Sequence, residues 1–191
     1  PSGKQSVPAH YHIFEEEHVY ILEGALTVRI GAARYEMKAD DYVCFLGQFT
    51  SSKGPTVAIQ TARALGVRLL LAGPLSDYYH EHVEPLVDGR SVEYVGFVSG
   101  SERDRLLGGA RALLYPIQSK EPFGLVQVEA MMCGTPVAAI RLGAVPEIVD
   151  EGVTGFYADF ADEFGQAMLQ TFALGRRQVR NRAEIRFSAE R

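Results

Sequence analysis

Two carboxylates with seven residues between them, Glu121 and Glu129, frame the stretch of this 191-residue chain that is richest in chemistry. Glu121 stands in a turn-like segment marked by Pro122 and Gly124. Glu129 falls inside the apolar run 125–132, whose spacing predicts a helix. Gly134 stops that helix, and Thr135 and Pro136 lead into an apolar strand over 137–140. A loop that turns into a helix leaves backbone N–H groups free at the helix start, where an anion binds. The same transition sets one acid ahead of the helix and one on its flank, as acceptors for the hydroxyls of an anionic ligand. Two surface acids on a buried helix would be the simpler reading. The residues on either side argue against it.

The stretch 121–137 closely resembles the donor-site signature of retaining glycosyltransferases with two Rossmann-like domains, family four of the GT-B fold. The resemblance implies that Glu121 faces the donor sugar and that Glu129 holds the ribose hydroxyls. It also implies that the backbone N–H groups of Gly124 and Leu125 meet the phosphates. Residues 47–54, Gly-Gln-Phe-Thr-Ser-Ser-Lys-Gly, resemble the same family's phosphate loop, in which an Arg and a Lys neutralise the leaving diphosphate. Lys53 matches the Lys. Gln48 occupies the Arg position and brings hydrogen-bond donors without charge or a guanidinium fork. Lys53 reads equally well as a solvated lysine at a helix start. Gly96-Phe97-Val98 corresponds to the family region beside the nucleobase, which makes Phe97 a candidate base contact. Residues 143–147 resemble a Gly-rich turn before a short helix, and a turn with its cap accounts for them as well.

A second set of chemical groups lies near the N-terminus. His10 and His12 are two apart, so on a strand they share a face, and Glu17 can come from the neighbouring strand. Two imidazoles and a carboxylate suit a divalent transition metal. A solvated His- and Glu-rich segment is the plainer reading of His-x-His alone. The spacing His-x-His-x4-Glu-x6-Gly, ending at Gly24, resembles the first metal motif of the cupin family, and 7–9 and 38–42 are cupin-like too. The resemblance implies that His10, His12 and Glu17 are three of four ligands. The His of the second cupin motif is absent, and Asp40 stands where cupins usually have Gly.

Composition narrows the classes. Apolar residues make up 47 % of the chain and charged residues 23 %, ordinary for a globular domain with a sizeable core. The net charge of −5 gives no broad attraction for nucleic acid or an anionic membrane surface. No apolar run reaches membrane-spanning length and no signal-peptide pattern opens the chain, so a cytoplasmic location is the expectation. Cys44 and Cys133 lie far apart in apolar runs and read as reduced core residues. His80 and His82 read as solvated helix residues, and Arg176, Arg177, Arg180 and Arg182 as a solvated basic face rather than a nucleic-acid site.

The elements that must position these groups are set by periodicity. Residues 1–41 read as an incomplete, cupin-like antiparallel β segment, with strand runs at 19–22, 26–30 and 34–37. Its open edges must be paired or covered, which favours a homodimer through this segment or packing on the rest of the chain. The string 41–45 suits either the last strand of that segment or the first strand of a nucleotide-binding domain. Residues 42–191 alternate continuous apolar strands, at 42–46, 67–72, 92–95, 112–115, 137–140 and 155–157, with amphipathic helices. Those helices are expected near 54–65, 77–87, 101–109 (capped by Ser101), 125–132, 144–149, 161–174 and 177–187. This pattern predicts an α/β fold, a Rossmann-like parallel sheet with helices on both faces, half of a GT-B fold. Ligands of such sheets bind beyond the C-terminal ends of the strands, where Lys53, Phe97 and Glu121 fall.

The expectation is a nucleotide-sugar-binding domain taking a UDP- or GDP-linked donor, with no cofactor required. The parent family transfers a hexosyl group with retention. A full enzyme carries an acceptor domain ahead of this one. Its absence here implies weak binding and little turnover, which leaves open whether this chain is itself an enzyme. The alternative is a metal-binding cupin-like module, or a catalytically silent fusion, natural or engineered.

Overall fold

Runs of three to five apolar residues between short amphipathic helices give a parallel sheet sandwiched between two helical layers. The computed structural model describes residues 25–30, 33–38 and 42–188. The first two strands, β1 (Ala25–Ile30) and β2 (Ala33–Lys38), pair antiparallel with Ala25 opposite Lys38 and Ile30 opposite Ala33. They correspond to the expected runs at 26–30 and 34–37. The run at 19–22 and the residues His10, His12 and Glu17 lie outside the described residues.

The main sheet contains β3 (Tyr42–Leu46), β4 (Arg68–Ala72), β5 (Val92–Tyr94), β6 (Leu113–Tyr115), β7 (Val137–Ile140) and β8 (Gly155–Ala158). All neighbours run parallel, in the order β5-β4-β3-β6-β7-β8. The chain starts in the middle, works outward to β5, then crosses back to β6 and works outward the other way. Between β3 and β6 the successive connections leave in opposite directions, and a crevice opens there at the C-terminal ends of the strands.

The helices are α1 (Pro55–Ala64), α2 (Gly100–Gly109), α3 (Leu125–Met132), α4 (Val145–Ile148), α5 (Phe164–Thr171) and α6 (Arg176–Phe187). Strand alternation decides which residue meets which layer. Val43, Phe45, Leu69, Leu71 and Leu114 pack with Ile59 of α1 and with Phe164 and Met168 of α5. Cys44, Leu113, Tyr115 and Val137 pack on the other face with Leu107 of α2, Met131 of α3 and Val179 of α6. With both faces covered, the strands have no polar side to alternate, hence their continuous apolar reading. Each fully buried Leu, Ile or Phe contributes roughly 1.5–3 kcal/mol of transfer free energy.

Three expectations need correction. The single helix expected over 77–87 is helical over 77–86 but not uniformly α: it widens into a π-turn, Tyr79–Val83, and tightens into a 3₁₀ turn, Glu84–Leu86. Pro85 has no N–H to donate, and its ring would clash with the carbonyl four residues back in an α-helix, so the backbone changes pitch there. Helix α2 begins at Gly100, not at a Ser101 cap. The carbonyl of Ser99 accepts the N–H groups of Glu102 and Arg103, and no side chain caps the helix. The helix expected over 161–174 is helical only over Phe164–Thr171, with turns at each end.

Candidate donor-binding site

The loop after β3 is fixed by its one aromatic residue. Phe49 is fully buried and stacks against Phe45, with Tyr79 and Tyr94 tilted around it. Its carbonyl accepts the Ser76 hydroxyl at 2.7 Å. The chain then makes a 3₁₀ turn, Ser51–Lys53, before α1. The loop after β6 lies alongside, and the Gln118 N–H donates to the Ser52 carbonyl at 2.7 Å. Between these loops sits a cavity of about 480 Å³ whose walls include Gln48, Lys53, Tyr115, Glu121, Gly124 and Leu125. It occupies the crevice between β3 and β6.

Across this cavity the Lys53 Nζ donates to Glu121 Oε1 at 2.5 Å, with both side chains about a quarter exposed (24 % and 22 %). The backbone of Glu121 is clamped from a third loop. The Ala144 N–H donates to the Glu121 carbonyl at 3.1 Å. Gly143 adopts φ +56°, and a β-carbon there would lie 2.4 Å from that carbonyl oxygen. Only glycine allows both the backbone conformation and the approach.

Helix α3 starts directly after Gly124, at φ +81°, where a β-carbon would lie 2.5 Å from both Tyr115 Oη and Gln127 Nε2. The first-turn N–H groups of Leu125 and Val126 have no intrahelical acceptor, as at any helix start, and the side chain of Leu125 is 68 % exposed at the cavity wall. Tyr115 and Gln127 are both buried, and neither Tyr115 Oη nor Gln127 Oε1 makes a well-aligned hydrogen bond. Burial, then the negative charge of nearby Glu121 and hydrogen-bonding contact with its carboxylate, raise the Tyr115 phenol above its ordinary pKa.

The expected site residues therefore separate into two groups. Gln48, Lys53, Glu121, Gly124 and Leu125 come together around one cavity. Glu129 faces α2 instead, where Arg103 Nη1 donates to Glu129 Oε1 at 2.7 Å. The same guanidinium also holds Asp104, through Nε and Nη2. Phe97 lies in the loop after β5, 69 % exposed and apart from the cavity wall. Both acids thus carry a cationic partner from another element. Tyr115, Gln127 and Arg103 escaped the sequence reading. A polar atom at the end of an otherwise apolar strand, and an amide in a buried helix face, were the signals for the first two.

Elsewhere, Cys44 is buried, Cys133 half-buried, and both are free thiols. Burial pushes the Cys44 thiol up to about 12. His80 and His82 are exposed, with His80 Nδ1 at 2.8 Å from Glu84. The arginines of α6 are more engaged than a solvated face implies. Arg176 donates to the carbonyls of Ala110 and Gly108 and to the Thr135 hydroxyl, while Arg180 pairs with Glu184 and Arg182 with Asp150. The bonds of Arg176 and Arg182 tie α6 to the segments ahead of β6 and β7 and after α4, while the Arg180–Glu184 pair lies within the helix. Among the described residues no cluster of three or more His, Cys, Asp or Glu side chains is placed to hold a metal ion. None of the described helices is long and apolar enough to cross a membrane.

Comparison with known proteins agrees with this fold. The family model for glycosyl transferases group 1 matches residues 33–184, and a cupin domain model matches 1–47, so the two overlap at 33–47. The D-inositol 3-phosphate glycosyltransferase of Mycolicibacterium smegmatis is 37 % identical over 127 residues, 63 % of this chain and 29 % of that protein. That of Mycobacteroides abscessus is 33 % identical over 153 residues, covering 72 % and 34 % of the two chains. The chain spans about a third of the length of these relatives. Among solved structures, AviGT4, a glycosyltransferase involved in avilamycin A biosynthesis, superimposes with a TM-score of 0.64 at 33 % identity, over 76 % of this chain and 46 % of that one. HepE of Anabaena in complex with UDP-glucose gives 0.62 at 25 % identity, over 78 % and 45 %.

Proposed function

The chain belongs to the glycosyl transferases group 1 family, and from that premise we propose that residues 42–191 form its nucleotide-sugar donor-binding domain. The observation that carries this reading is the Lys53–Glu121 pair, set across a cavity that also holds the start of α3. Lys53 turns onto the diphosphate, and the N–H groups at the helix start donate to a phosphate oxygen. Glu121, released, accepts hydroxyls of the donor sugar. Glu129 leaves Arg103 for the ribose hydroxyls, and exposed Phe97 meets the base. The reaction is hexosyl transfer with retention. Gln48 offers hydrogen bonds without charge to the leaving diphosphate, and loss of one such stabilising group costs on the order of 10²–10³ in rate. We therefore assign this chain donor binding with little turnover unless an acceptor domain is supplied.

UDP is the first donor nucleotide to test, since HepE is a relative crystallised with UDP-glucose; GDP is the alternative. Calorimetric titration with UDP, GDP, UDP-glucose and GDP-mannose decides the reading. Binding of one set at micromolar to millimolar Kd is expected. No heat and no thermal shift with any of them removes the proposal.

The cupin match to residues 1–47 favours a second role for the N-terminal segment. His10, His12 and Glu17 would bind a divalent transition metal, residues 1–41 would form a unit distinct from 42–191, and their open strand edges would pair two copies as a homodimer. A cytoplasmic location fits a nucleoside diphosphate sugar as the ligand.

A further inference from the structure

Tyr115 ends β6 beneath the cavity and is 5 % exposed, yet its hydroxyl makes no well-aligned hydrogen bond, although the Glu121 carboxylate is within its reach. A buried hydroxyl left poorly satisfied is unfavourable, so a second arrangement that satisfies it fully is favoured. Two acceptors compete for it. One is the Glu121 carboxylate, close enough to act on the phenol and already tied to Lys53 at 2.5 Å. The other is Gln127 Oε1, buried and equally without a well-aligned hydrogen bond. Gln127 has its amide nitrogen turned to the Phe123 carbonyl at 3.2 Å. Lys53 is the cation among the residues lining the cavity. A phosphate entering there draws Lys53 by charge and leaves Glu121, still largely enclosed, short of a donor.

We infer that Tyr115 is a positioning residue that donates its hydroxyl to Glu121 when an anion draws Lys53 away. The acid then stays aimed into the cavity, with its other oxygen free for ligand hydroxyls, instead of swinging to solvent. That the anion is the diphosphate of a sugar nucleotide rests on the function proposed above; the exchange of donors at Glu121 does not.

A thermal double-mutant cycle without ligand tests the exchange. Lys53→Met mimics the departure of Lys53, and Lys53→Gln serves if that variant does not fold. Tyr115→Phe alone is expected to move Tm by no more than about 1 °C, because the hydroxyl it removes makes no well-aligned bond while Lys53 holds Glu121. In the Lys53→Met background the same change is expected to lower Tm by about 3 °C, the scale of a hydrogen bond to a charged group in a chain of this size. The parallel cycle with Gln127→Met should show no coupling. Additive shifts for Tyr115 and Lys53, or coupling to Gln127 in their place, overturn the inference, because a residue that only packs is indifferent to Lys53. UDP titration of the four proteins separates the two claims. An intact coupling with no UDP binding removes the donor reading and leaves the exchange standing. Binding that weakens about tenfold in Tyr115→Phe joins the two.

Discussion

Lys53 and Glu121 are 68 positions apart in sequence, and their side chains meet at 2.5 Å across the crevice between β3 and β6. Each is delivered by the loop at the end of its own strand, and those two strands are the neighbours between which the order of strand addition reverses. In a protein that binds an anion here, the pair is the resting partner of both charges.

Replacing Lys53 by Met should separate binding from folding. The pair is partly exposed, and such pairs contribute less than about 1 kcal/mol to stability, so Tm should fall by at most a few degrees. UDP affinity should fall by roughly ten- to a hundredfold, the value of a charge-assisted hydrogen bond. Calorimetry and thermal melts on the same samples check both.

Gly143→Ala should act on the site from outside it. The new methyl would meet the Glu121 carbonyl, and φ +56° disfavours any side chain. We expect a loss of about 1–3 kcal/mol in stability, measured by chemical denaturation, together with weaker UDP-sugar binding, since the backbone that carries the acid must shift. Gly175→Ala, where a β-carbon meets nothing within 4 Å, should leave binding unchanged.

The Arg103–Glu129 pair predicts a difference between ribose and deoxyribose ligands. If Glu129 takes the ribose hydroxyls, Glu129→Gln should reduce the preference for UDP over 2′-deoxy-UDP several-fold. Arg103→Gln should tighten UDP by freeing the acid. Titration of both nucleotides against the three proteins gives the answer, and unchanged preference in Glu129→Gln rejects the assignment.

Much of the fold was legible because its signals are local. The strands read as unbroken apolar runs, and α3 was bounded to the residue by Gly124 before it and Gly134 two positions after its last residue. Pro85 was also legible as a residue that a uniform α-helix over 77–87 does not accommodate. The site was half legible. Lys53, Glu121 and Gly124 sit in strings that keep their meaning in one dimension. The partners of the acids do not: Arg103 reaches Glu129 across 26 residues, and the clamp of Ala144 on Glu121 depends on where two loops cross. Tyr115 was read as strand because in sequence nothing distinguishes a hydroxyl with a bond from one without.

Asp88 should dominate part of the acid response. Burial opposes its ionisation, but the Ser91 hydroxyl and the N–H groups of Arg90, Ser91 and Val92 outweigh it and hold the carboxyl well below the usual range. A carboxyl depressed in the folded state contributes stability above its unfolded pKa, near about 4, and loses it as pH falls toward the folded value. Asp88→Asn should therefore lower Tm at pH 7, with the gap to the parent closing progressively below about pH 4. A gap that stays constant from pH 7 to pH 2 would contradict the ionic origin.

For the N-terminal segment, the measurement is metal content. Protein purified without added metal should carry a transition metal at up to one equivalent by plasma mass spectrometry, and His10→Ala/His12→Ala should carry none. Equal trace amounts in both would show that those residues do not form a site.

The bond from the Gln118 N–H to the Ser52 carbonyl ties the two rim loops rung to rung. Their lengths are thereby coupled. A single inserted residue in 47–52 would throw Lys53 out of step with Glu121 unless 116–120 lengthened to match. Homologues that differ in one of these loops should differ in the other, and a graft of new specificity must transplant them as a pair.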